Sequence, residues 1–129
     1  MTNTLQNAST IAVVGAHRSL LAAASTLFAQ CENIVKTDDV TADFDATAAQ
    51  LTGELEQLGN DLNSRLVNEW SAFCNSLRVA VSNARHDVPR RQGTDEKNHV
   101  RNFNLSCAAN AFTRLRDAAR GHLVARIEA

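Results

Sequence analysis

The amino-acid sequence predicts an all-α fold, an antiparallel bundle of long amphipathic helices. Apolar side chains recur at spacings of three and four over most of the chain, as one helical face requires. Breakers are scarce, with one Pro and five Gly in 129 residues. Tyr is absent and aromatics are 5% of the chain, while Ala is abundant, which disfavours strands. The length suits a single domain spanning 1–129, with enough chain to bury a core without metal or disulfide staples.

The first helix is expected over Ser9–Lys36. Val14, His17, Leu21, Ala24, Phe28, Cys31 and Val35 form one row. Val13, Leu20, Leu27 and Ile34 recur every seven residues beside it, giving a face about three positions wide per heptad. Asp38 and Asp39 then interrupt the pattern. Thr41 is a plausible N-cap with Asp43 in the first turn. Phe44, Ala48, Leu51, Leu55, Leu58 and Leu62 make the next stripe, and Leu66, Trp70, Phe73, Leu77, Ala80 and Ala84 continue it.

The stripe keeps its phase through Gly59-Asn60-Asp61, so two architectures stay open. Gly59 ends one helix and Asn60 or Asp61 caps another, giving four helices. Alternatively a single helix of about 45 residues runs through 41–86, on the order of 68 Å long, and the bundle has three. Residues 86–94 combine the Pro with a Gly and form the main loop. Thr94 caps the last helix, whose core row is Val100, Phe103, Cys107, Ala111, Leu115, Ala118, His122 and Ala125.

The net charge of −1 hides two opposed halves. Residues 1–70 hold 3 basic and 9 acidic side chains, net −6, and residues 71–129 hold 10 basic and 5 acidic, net +5. Eleven of the 13 bases are Arg, suited to bidentate contact with carboxylate or phosphate. Either the halves neutralise each other inside one fold, or the subunit is dipolar and docks on copies of itself or on a polyanion. Three unpaired cysteines, Cys31, Cys74 and Cys107, suggest a reducing compartment and buried structural thiols. The N-terminus lacks a signal peptide's basic region, and His17 and Arg18 make Ile11–Phe28 look too polar to span a bilayer. A cytoplasmic protein without membrane contact is expected.

No motif specifies a reaction. Gly15-Ala-His-Arg-Ser follows an apolar run but lacks the second Gly and the Lys of a phosphate loop. His17 invites a histidine-phosphotransfer reading, yet it falls inside the apolar row and is expected as a hydrogen-bonded core residue. No CxxC or HExxH spacing exists for a metal, the single ExxH (Glu96 and His99) lacks the second that a di-metal bundle needs, and no Cys or Ser has a recognisable base. Catalytic residues, metal ligands, cofactors and small-molecule substrates are therefore not expected. Trp70 is expected in core packing, with an interface anchor as the alternative.

Arginines supply the candidate contacts. Arg85, Arg90, Arg91, Lys97 and Arg101 flank the main loop and could neutralise several phosphates, with RNA as the possible partner. Arg114, Arg116 and Arg120 on the last helix are candidates for contact with a neighbouring subunit of a homo-oligomer. Arg114 falls at the edge of the apolar row and is expected to be buried and paired with an acid of the N-terminal half.

From Leu66 onward, about half of the chain resembles the coat proteins of rod-shaped plant RNA viruses, tobamovirus-like in type. Leu66-Val67, Ala72-Phe73, the helix ending near Arg85, and Pro89 before a polar loop resemble that family's third helix and following turn. Arg101 and AANAFTRLRDAARGHL resemble its final long helix. The family's short strand segment and aromatic C-terminal region have no counterpart here. The resemblance implies a four-helix subunit that self-assembles in a virion, with Arg90, Arg91 and Arg101 toward RNA. From a different class, a regulatory helical adaptor centred on His17 is the alternative.

Overall fold

Four helices run α1 (Thr2–Thr37), α2 (Phe44–Glu56), α3 (Ser64–Asp87) and α4 (Thr94–Glu128). The computed structural model describes the backbone of residues 2–37, 43–58, 62, 64–87 and 94–128, and side chains of 11–37, 43–58, 62, 65–85 and 98–125. Among the described residues there is no strand. The all-α expectation holds, and the question at Gly59 resolves to two helices.

Residues in contact fix the directions. His17 meets His122 and Phe28 meets Phe112, so α1 and α4 are antiparallel. Phe73 also meets Phe112, and Cys31 reaches Leu77, which places α3 alongside α1 in the same direction. Thr52 meets Trp70 and Asp45 meets Arg78, so α2 runs against α3. The result is an up-down-up-down bundle.

α1 begins earlier than its amphipathic row because nothing N-terminal to Ser9 breaks a helix. Its core face is as the periodicity requires: Leu20, Leu27, Ile34 and Val35 are at most 1% exposed. By length and composition Ile11–Thr37 could cross a membrane, so the expectation that His17 and Arg18 forbid this is not upheld. Here its apolar side chains fill the core shared with α3 and α4.

The cap of α2 is Asp43, whose carboxylate accepts from Ala46 N at 3.0 Å, while Thr41 lies outside the described residues. The helix closes with a tightened turn in which Leu58 N donates to Leu55 O at 3.1 Å. Residues 59–61, where the sequence offered Gly59, Asn60 and Asp61 as breaker and caps, lie outside the described residues. Trp70 is in the core, 1% exposed.

α4 departs from its predicted core row. Asn104, Ala108, Ala111, Leu115 and Ala119 are buried, whereas Phe103 is 61% exposed and Cys107 is exposed. Val100, Ala118 and His122 are half-buried and Ala125 is exposed. The seam is rotated by about one position because three alanines and one Asn let α4 approach α1 and α3 closely. A reading by hydrophobicity prefers Phe103, but small side chains set the helix separation.

Candidate assembly surfaces and the histidine pair

α1 and α3 touch each other, and α2 and α4 each pack on that pair. α2 and α4 touch each other least of all the helix pairs, so they take opposed corners of the bundle, across the α1–α3 contact. α2 carries Asp45, Glu54 and Glu56, with Asp43 at its cap and no base, and all four acids are exposed. On α4, Arg114, Arg116 and Arg120 are exposed, with Asp117 the only acid among residues 98–125. The acids of α2 and the exposed arginines of α4 thus stand apart on the subunit, while Arg78 and Arg85 of the basic half lie beside α2.

Internal neutralisation also occurs. Arg78 Nε donates to Asp45 Oδ1 at 2.7 Å, joining the acidic half to the basic half across α2 and α3. Arg116 lies 3.8 Å from its neighbour Asp117. Glu54, Glu56, Arg114 and Arg120 have no ion partner among the described residues. Arg114 is exposed, which corrects the expectation of a buried, paired guanidinium. The α4 seam that actually forms turns Arg114 away from the core.

Of the candidates for nucleic acid, Arg85 near the end of α3 and Arg101 in α4 are half-buried, and the Nε atom of each is fully buried. Their guanidinium groups therefore present only part of their donors to solvent. Arg85 shares a cleft of about 330 Å³ with Asp43, Asp45 and Arg78, so acids as well as bases surround it. Arg90 and Arg91 lie outside the described residues, as does the side chain of Lys97.

His17 is 2% exposed. Its Nδ1 bonds to Val13 O at 2.8 Å, and a carbonyl only accepts, so Nδ1 carries a proton. In the neutral pair Nε2 accepts from His122 Nδ1–H, also at 2.8 Å. The rings meet edge to edge rather than face to face, because so short an N···N contact is closer than stacked planes allow, although the centroids are 4.9 Å apart and the planes differ by 17°. Both nitrogens of His17 are engaged, leaving none for a phosphoryl group. His122 also borders a cleft of about 430 Å³ with Arg65, Glu69 and Gly121. No group of three His, Cys, Asp or Glu suited to a metal occurs among the described residues.

Sequence reasoning missed this pair and a groove between α3 and α4. Three clefts of about 430, 80 and 280 Å³ follow one another along the groove, from Arg65 past Glu69 and Ser76 to Val79. Arg114 borders two of them. At one end Val79 is 58% exposed and shares a cleft with the exposed Cys107, and Phe103, one turn earlier on α4, is 61% exposed. The signal in the sequence is the stripe Phe103, Cys107, Asn110 and Arg114, spaced four, three and four, part of which the apolar row claims for the core.

No family model, curated protein or solved structure matches the chain.

Proposed function

We propose that this protein is a structural subunit that associates head to tail with copies of itself, with no chemical step of its own. One observation carries the reading: the acidic face of α2 and the exposed arginines of α4 lie at opposed corners of the bundle, across the α1–α3 contact. A subunit with unlike charge on two different faces favours a heterologous contact. Such contacts propagate into rings or filaments, according to whether the rotation closes.

A coat-like role over nucleic acid is the finer version. Arg116 and Arg120 favour it, being exposed one turn apart on a side of α4 away from the α3–α4 groove. Arg90 and Arg91 in the loop belong to the same proposal. The adaptor reading loses support from the burial of His17 and the engagement of both its nitrogens.

Electron microscopy of the purified protein tests the reading. Rods or rings are expected, and an absorbance ratio showing retained nucleic acid would support the coat version. Dispersed single chains at every concentration and ionic strength would refute self-association.

A further inference from the structure

Resting on the head-to-tail reading, we infer that the α3–α4 groove receives α2 of a neighbouring copy. Three properties of α2 fit the groove. Its outward centre is Ala46, Ala49, Gln50 and Gly53, and a Cβ built on Gly53 meets nothing within 4 Å. Small side chains there let two helices approach closely. Glu56 and Asp45 flank that stripe on one edge and Glu54 on the other, all exposed.

Length agrees as well. α2 has 13 residues, roughly 20 Å. The groove extends along α3 from Arg65 to Val79, roughly 21 Å on the same rise. Its walls offer small side chains, Ala72 and Ser76 from α3 and Ala118 and Gly121 from α4. Arg114 and Arg65 are the cations beside it, against a single acid, Glu69, and neither cation has an ion partner among the described residues. The docked helix lays the acids of α2 along a groove bordered by these arginines, and the apolar end at Val79 is covered. This is helix-in-groove recognition, with a second copy of the chain as occupant.

The test uses two complementary full-length variants and sedimentation velocity. Glu54→Lys with Glu56→Lys spoils the α2 face and leaves the groove. Val79→Glu with Arg114→Glu spoils the groove and leaves α2. Each variant alone is expected to sediment as a monomer, whereas their equimolar mixture gives complexes of at least twice the 14.0 kDa chain mass. Gly53→Leu adds bulk without charge and is expected to abolish wild-type particles while circular dichroism stays helical. If wild-type protein assembles and Gly53→Leu or either charge variant assembles equally well, the groove assignment is wrong and the head-to-tail reading stands. If the wild type itself never assembles, both fail.

Discussion

Trp70 donates its indole Nε1–H to Thr52 Oγ1 across 2.9 Å, and Thr52 donates in turn to Ala48 O at 2.7 Å. The bond ties α2, which bears the acidic face, to the largest buried side chain of α3. Thr52→Val keeps the shape and removes the acceptor, leaving an indole N–H buried without its partner. A loss of about 1–3 kcal/mol in urea unfolding is expected. No measurable loss would mean that this bond does not anchor α2.

The bond between His17 and His122 predicts coupling between residues 105 positions apart. His122→Ala should cost about 1–3 kcal/mol, because it strips the partner from a nitrogen of a nearly inaccessible ring. A double-mutant cycle with His17→Ala is expected to return a coupling energy of about 0.5–3 kcal/mol. Additive costs would contradict the pairing.

Much of this bundle was legible in the sequence, and its failures have definite causes. Leu20, Leu27 and Ile34 declare the inner face of α1 by their period and their bulk. In α4 the seam is marked by small residues such as Ala108 and Ala111, which a search for large apolar groups passes over in favour of Phe103. The break after α2 was undecidable because the stripe from Leu58 to Leu66 hardly changes phase. The histidine pair had a trace, since His17 and His122 both fell on predicted apolar rows near opposite ends of the chain. Antiparallel packing brings them together, but periodicity alone does not say which helices are neighbours. The groove needed the tertiary arrangement, as it belongs to two helices at once.

Thiol chemistry gives a third prediction. Burial, helped by the nearby Glu32 charge, pushes Cys31 up to about 12, and burial pushes Cys74 up to about 11 against the lowering effect of Arg78. Cys107 is exposed. A thiol reagent on native protein at neutral pH should label Cys107 alone, with Cys31 and Cys74 reacting only after denaturation. Their folded values lie above the unfolded reference of 9.0. The thiols' contribution is therefore complete below pH 9 and is lost as pH rises through about 11 and about 12. Denaturant midpoints should fall over that alkaline window, and less steeply in Cys31→Ala than in wild type.

Asn104 is 2% exposed on the α4 seam, and its Nδ2 has no hydrogen-bond partner among the described residues. Asn104→Leu replaces that amide with an apolar group of similar size. The variant should be more stable by about 1–3 kcal/mol, the usual penalty for a buried polar group without a partner. Thermal unfolding at a lower temperature than wild type would show that the amide is satisfied in solution.

Light scattering of wild-type protein across a salt titration bears most directly on the two-faced subunit. Unlike charges on α2 and α4 predict large particles at low ionic strength that fall apart toward ~1 M salt, where the screening length is only about 3 Å. A scattering mass that stays at one chain throughout, or particles indifferent to salt, would contradict it.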